Sequence, residues 1–209
     1  MADRRQFLAG LAALPLHAAA GQPHGSTMTT ELSVPCAEPT PGGVTDPRGA
    51  VGRAALTDLV DAYSQVTGID WQHQLYSTLS SEPDVCARYR QNQVVPGEKW
   101  LLVIQTAYRR DMQPARFVPG TYGIGAGTVD ADGTLRTVDA TFQRFGRNCS
   151  EIGGQQEATG GTVTYAVVTD TLVVASYDLL FGTSRVQGSF SAPTCTLCGP
   201  RPVTRTCLR

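Results

Sequence analysis

Lysine is almost missing from this chain: of its 17 lysine and arginine side chains, Lys99 alone is a lysine. Charged residues make up 17% of the sequence, aromatics 7%, and the formal net charge is −1. The arginines are scattered, so no basic stripe exists of the kind that nucleic acid or anionic lipid would need. Beyond Leu16 no segment approaches the roughly 20 apolar residues of a membrane helix, and no membrane span is expected. Histidine is equally sparse, at His17, His24 and His73. Gly-x-Ser-x-Gly and His-Glu-x-x-His are both absent, which removes two common hydrolase layouts. Gly123-x-Gly125-x-Gly127 has no helix pattern after it and is no phosphate cradle; its glycines suit a bent strand. No cofactor and no metal is implied.

The N-terminus is informative. Arg4-Arg5 is followed by an almost wholly apolar run from Phe7 to Leu16 and by Ala18-Ala19-Ala20, the layout of an export signal over residues 1–20. Asp3-Arg4-Arg5-Gln6-Phe7-Leu8 also resembles the twin-arginine export motif, with Asp3 where that motif more often has Ser or Thr. Without residues 1–20 the net charge is about −2. Periplasmic or extracellular delivery is the expectation, and Cys36 lies too far beyond Ala20 for lipid attachment.

Residues 21–52 are turn-rich and polar and read as an irregular, partly disordered lead-in. In residues 53–66, Leu56, Leu59, Val60 and Tyr63 fit an i, i+3, i+4, i+7 helix ended by Gly68, with Asp58 and Asp61 on its wet face. Strands follow: Gln74–Ser80, a turn at Glu82-Pro83-Asp84, then Trp100–Ala107 and Thr121–Thr128. Asp130-Ala131-Asp132-Gly133 signals a hairpin whose return strand carries Val138, Ala140 and Phe142 on one face. From Gly160 to Pro193 apolar and polar residues alternate over three strands, broken at Thr169-Asp170-Thr171 and Gly182-Thr183-Ser184. The pattern predicts an all-β fold, an antiparallel β-sandwich or partly open barrel with a short N-terminal helix. The β-domain would cover residues 53–195 and a cysteine-tethered tail residues 196–209.

Six cysteines (Cys36, Cys86, Cys149, Cys195, Cys198 and Cys207) are an even number in an exported chain, so three disulfides of unknown pairing are expected. Cys195-x-x-Cys198 also reads as a redox pair, but such pairs usually open a helix, and Gly199-Pro200-Arg201-Pro202 opposes one. Zinc would want a fourth ligand beside Cys195, Cys198 and Cys207. Asp130 and Asp132 read as a hairpin tip, without the further oxygen ligands of a calcium loop. Asn148-Cys149-Ser150 is a glycosylation sequon that only a eukaryotic secretory route would use.

The phrases SSEPDVC, PGTYGI, GGTVTY, SYDLLFG and VQGSFSAPTC, spread over Tyr76 to Cys195, resemble those of a family of uncharacterised bacterial secreted or lipoprotein β-domains. That resemblance implies export and an antiparallel fold and carries no activity. This chain departs from the lipoprotein members by lacking the lipid-attachment cysteine, and it extends past Cys195.

The expected function is a non-catalytic, disulfide-stapled β-domain of the bacterial envelope or exterior, with a binding or structural role. Trp71 and Trp100 are the candidate recognition aromatics, with Tyr122 and Tyr177 behind them, and a glycan or an envelope protein is the expected partner. The alternatives are an exported thiol-disulfide oxidoreductase using Cys195 and Cys198, or a hydrolase whose residues, His73 among them, meet only in the fold. Replacing Arg4 and Arg5 together by lysine is expected to stop export through the twin-arginine route. Unchanged export of that variant, read by fractionation, would leave a general secretory signal.

Overall fold

A computed structural model describes residues 40–69, 71–196 and 204–208. The export segment, His24, Cys36 and Cys198 lie outside them.

Two antiparallel sheets carry the architecture. The first contains β1 (Gly43–Val51), β2 (Ala54–Ala55), β7 (Gly120–Gly123), β11 (Gly160–Val168), β12 (Leu172–Phe181) and β13 (Ser184–Pro193), in the order β2-β1-β13-β12-β11-β7. The second contains β3 (Asp61–Ile69), β4 (Gln72–Ser80), β6 (Lys99–Arg109), β9 (Thr134–Arg144) and β10 (Gln156–Glu157), in the order β10-β9-β6-β4-β3. A two-residue strand β8 (Thr128–Val129) also pairs with β9. The period-2 pattern dictates the arrangement. Val163, Val173, Ala175, Leu179, Val186 and Phe190 of the first sheet and Leu75, Leu79, Leu101, Val103, Val138 and Phe142 of the second form one buried cluster. Each sheet has an apolar face that only the other can cover.

The sandwich is nearly closed at two corners. Ile124, just past β7, bridges Val138 of β9, and Thr194, just past β13, bridges Ser64 of β3. At the second corner the Cys195 N–H donates to the Ser64 carbonyl (2.7 Å) and the Ser64 hydroxyl donates to the Ala192 carbonyl (3.1 Å). The disulfide Cys86–Cys195 spans the same corner with Cα atoms 5.7 Å apart.

One end of the sandwich is sealed. The helix α1 (Val85–Arg90), the parallel pair β5 (Gln93–Val94) and β14 (Thr206–Cys207), and the disulfide Cys149–Cys207 gather there. Glu98 is the organiser. It is wholly buried, and it accepts hydrogen bonds from Ser80 Oγ (2.7 Å), Arg88 Nη1 (2.6 Å), Trp100 Nε1 (2.5 Å) and the Val95 N–H (3.0 Å). Arg88 spends its remaining donors on the Pro83 and Glu82 carbonyls. Four donors on one carboxylate offset the cost of burying its charge.

Two expectations fail here. Residues 53–66 do not form a helix: Ala54–Ala55 is β2, an irregular turn follows, and Asp61 begins β3. Leu56 and Leu59 point into the core from that turn, so their spacing by three reports a turn and not a helical face. Asp58 pairs with Lys99 (2.5 Å), and Asp61 Oδ2 accepts the Val85 N–H (2.9 Å), capping α1 from the neighbouring sheet. Nor are all of residues 21–52 irregular, because Gly43–Val51 is the strand β1. Its pairing with β13 skips between Thr45 and Arg48, a bulge that accommodates Pro47. Gly49, at φ +96°, lies so close to Arg185 that a Cβ there would sit 2.1 Å from that carbonyl oxygen.

Glu98→Gln is expected to lower stability by about 2–4 kcal/mol and Arg88→Leu by about 3–5 kcal/mol, since each strands a buried partner. The midpoint of urea unfolding checks both, with an unchanged slope showing that the fold survives.

Candidate functional site

The opposite end of the sandwich is open, and register explains why. β13 ends its partnership with β3 at Thr194–Ser64, yet β3 continues for five more residues, to Ile69, before turning into β4. The β3–β4 hairpin therefore runs on beyond the end of β13. Inward-facing side chains on β3 record the change: Ala62 is 2% exposed, Ser64 1%, and Val66 49%. Val66 faces inward, across from Leu75, yet it is half exposed.

The result is a cleft of about 780 Å3. One wall is Gln65 and Val66 with His73 and Leu75; the segment Ala115–Phe117 forms another; Val168–Asp170 and Thr194–Thr196 complete it. The Phe117 ring lies over His73 with centroids 6.2 Å apart. Arg136, buried at 1% exposure, bonds the Arg116 carbonyl and the Asp130 carboxylate and so fixes the loop that supports Phe117. A volume of this size at the mouth of a β-sandwich suits a small ligand or a few residues of peptide. Exposed apolar side chains concentrate at this end: Val66, Ile69, Met112, Val118, Val129 and Val167 are six of the nine large ones among the described residues.

The sequence candidates are dispersed. Trp71 sits in the hairpin turn between β3 and β4, edge-on to Tyr108 at 5.8 Å, at the open end but outside the cleft lining. Trp100 is at the sealed end, eight residues from Tyr108 along β6, so the two indoles share no surface. Its N–H is held by Glu98, its ring packs on Phe145 at 4.8 Å, and the Arg205 guanidinium lies over it at 6.0 Å. Tyr122 and Tyr177 are core residues; Tyr177 lies so close to Gly188 that a Cβ there would come within 2.5 Å of its hydroxyl oxygen. His73 reaches the cleft, together with Asp170 on a different wall, and among the described residues no hydrogen bond joins it to a carboxylate. Asp130 and Asp132 are committed to Arg136 and to Thr134, and no group of three or more His, Cys, Asp or Glu among the described residues is arranged to hold a metal. Asn148 turns back on Ser150 (2.6 Å). Gly123 ends β7 and Gly125 has φ +66°, the bend that the glycine run suggested.

The cysteines have long-range partners. Cys195 is bonded to Cys86, 109 positions away, and Cys149 to Cys207, 58 away. Cys195 therefore contributes to the cleft wall as half of a cross-link, while Cys198 lies outside the described residues.

Sequence reasoning missed Val66, Phe117 and Val168. The signal for Val66 was present: Ala62, Ser64 and Val66 alternate with Tyr63 and Gln65, and a strand reading of residues 61–69 places Val66 inward. Phe117 lies in a loop where no periodicity exists to read.

No protein-family model, no curated protein and no solved structure matches this chain. Among the described residues no helix is long and apolar enough to cross a membrane.

Burial drives the phenol pKa values of Tyr165 and Tyr177 well above the ordinary 10.0. Burial raises Tyr122 too, with nearby Arg136 and Gln105 pulling it partly back. A folded-state pKa above the unfolded one contributes stability that is intact below about pH 10 and declines above it, by about 1.4 kcal/mol per pH unit per phenol. Alkaline unfolding is expected to begin near pH 10, with the Tyr165 and Tyr177 phenolate absorbance appearing only as the fold is lost. Ionisation of all phenols in the folded protein, with full circular dichroism retained, would contradict the packing described above.

Proposed function

We propose that this protein is an exported, non-catalytic binding domain of the bacterial envelope or exterior, and that its ligand occupies the cleft under the β3–β4 overhang. One observation carries the reading: Val66, an inward-facing core position by register, is half exposed because the interior beneath it is unfilled. Leaving core surface wet costs about 25 cal/mol per Å2, and a ligand that covers it recovers that energy. Binding is favoured over catalysis because the cleft pairs apolar walls with one histidine, one arginine and one aspartate spread over separate walls. A hydrolytic site would want a nucleophile and base within reach of each other.

Export fits the chemistry of the staples. Disulfides between residues so distant in sequence form and persist in oxidising compartments. The charged and apolar layout of residues 1–20 supplies the signal. The resemblance to bacterial secreted β-domains points the same way. Cys86–Cys195 would then hold the wall of the cleft at its closed corner, so that the site is preorganised and not assembled on binding.

The fluorescent apolar probe anilinonaphthalene sulfonate tests the site. It is expected to bind the native protein, and the double variant Val66→Asn, Val168→Asn to bind it at least about tenfold more weakly with a similar thermal midpoint. Equal binding by wild type and variant, or no binding to either, would remove the cleft as the ligand site.

A further inference from the structure

We propose that the Asp46–Pro47 peptide bond is a self-cleavage site: in acidic surroundings the Asp46 carboxyl group breaks its own bond to proline and separates the residues before Pro47 from the β-domain. This processing site is independent of the cleft and of whatever binds there.

The sequence supplies the reacting groups once, because Asp46-Pro47 is the chain's single aspartate–proline pair. A peptide bond to proline is a tertiary amide without an N–H, and its nitrogen leaves as a secondary amine. An aspartate carboxyl reaches the carbonyl carbon of its own residue through a five-membered ring. Nucleophile and leaving group are therefore neighbours before any folding takes place.

The fold adds conformation, freedom and access. Asp46 has φ +48°, in the left-handed region that residues with a Cβ avoid, and proline itself drives the preceding residue toward extended backbone. Asp46, Asp84, Asn92, Met112 and Cys149 are the non-glycine residues with positive φ among those described, and of them only Asp46 precedes a proline. Breaking the bond to Pro47 removes that conflict. The ladder does not hold this bond: pairing of β1 with β13 runs to Thr45–Ser189 and resumes at Arg48–Gln187, which leaves Asp46 and Pro47 without register partners. Asp46 is exposed, and among the described residues its carboxyl makes no hydrogen bond or ion pair. The charged groups on the strands packed beside it are otherwise engaged. Asp178 of β12 is paired with Arg185 of β13 (2.7 Å), and Asp61 of β3 accepts the Ala62 and Val85 N–H groups. Arg48 follows Pro47 on the same strand.

The step consumes only water. An oxygen of the protonated Asp46 carboxyl bonds to the Asp46 carbonyl carbon, and the carbon–nitrogen bond breaks. The electron pair stays with the Pro47 nitrogen, which takes up the carboxyl proton. A cyclic anhydride is left on Asp46, and one water opens it to two carboxyl groups. Since the protonated acid reacts, the rate rises as pH falls toward the ordinary aspartate value of about 3.9. The cut places the paired residues Gly43–Thr45 on one side and Arg48–Val51 on the other, so one strand of the first sheet becomes two.

Mass spectrometry after reduction of the disulfides tests the site. The protein is held at about pH 4, with circular dichroism recording the fold, beside the capped peptide acetyl-Thr-Asp-Pro-Arg-amide in the same buffer. It is expected to yield a fragment ending at Asp46 and one beginning at Pro47 at least about tenfold faster than the peptide is cut, about 1.4 kcal/mol of barrier. Asp46→Gly suits the positive φ and removes the carboxyl, and Pro47→Ala replaces the tertiary amide; each is expected to be cut at least about tenfold more slowly than wild type. If the wild-type fold is lost at about pH 4, the same comparison at about pH 5.5 decides. Equal rates for protein and peptide overturn the proposal, because the fold then contributes nothing. Absence of the two fragments, or their persistence in Asp46→Gly, overturns it as well, since the carboxyl is then not the nucleophile.

Discussion

The seam between β3 and β13 is the constraint on which the remaining structure depends. Two amphipathic sheets can face one another only if their edges meet, and at this corner the meeting is made by few groups. They are the Ser64 hydroxyl on the Ala192 carbonyl, the Cys195 N–H on the Ser64 carbonyl, and the Cys86–Cys195 bond behind them. The small side chain of Ser64, 1% exposed, lets the backbones approach, and its hydroxyl is satisfied by the strand it admits. On the sealed side of this seam, Leu56, Leu59, Leu79 and Leu101 are dry. On the other side Val66, only two residues on, is not. A single register position separates core from cleft, so the stability of the sandwich and the existence of its site follow from one geometric fact.

Legibility in the sequence followed the same division. Where both sheets are present, each strand has one wet and one dry face, and alternation reads directly: Val163-Tyr165, Val173-Ala175-Tyr177-Leu179 and Val186-Phe190 all face inward as their spacing requires. The Asp130–Gly133 turn was legible because Gly133, at φ +80°, performs a role that few other residues can. Residues 53–66 misled because a turn and a strand start together supplied apolar residues at intervals of three and four. Only the paired strand supplies the information that Tyr63 packs with α1 while Leu56 and Leu59 enter the main core. β1 was hidden for a related reason: its glycines and proline, which signal turns in isolation, serve there a bulged edge strand and a close backbone approach. The cleft itself was not legible, because it is set by how far one hairpin overshoots its neighbour across the sandwich.

The aromatic residues show how chemistry that looks available in a sequence is consumed by folding. Trp100 has the size and the N–H of a recognition residue, but Glu98 takes the N–H and Phe145 the ring. Glu98 in turn depends on Arg88, and Arg88 depends on the carbonyls of the turn that starts α1. Removing either charged partner leaves the other buried and unpaired, so Arg88 and Glu98 must be kept together in the interior. Trp71 keeps more freedom, with one edge contact to Tyr108 and a position in the hairpin turn that overhangs the cleft. Its indole belongs to the same projecting element as Val66 and Ile69.

An unfilled interior needs compensation elsewhere, and the cross-links supply it. In the chain-entropy account, loops of 109 and 58 residues closed by disulfides destabilise the unfolded chain by roughly 4–5 kcal/mol each, a contribution as large as the net stability of many domains. That contribution does not depend on how well the open end is packed. It allows Val66 to remain wet without the hairpin detaching, because β4 holds β3 through a continuous ladder from Asp61–Ser80 to Ile69–Gln72. One bond pins the corner at which the seam ends, at the cleft wall, and the other closes the opposite end of the sandwich. Rigidity is thus concentrated where the molecule is sealed, and the β3–β4 hairpin projects from that rigid base. A site built this way would give up little conformational entropy on binding, since its walls are held by covalent and buried polar anchors.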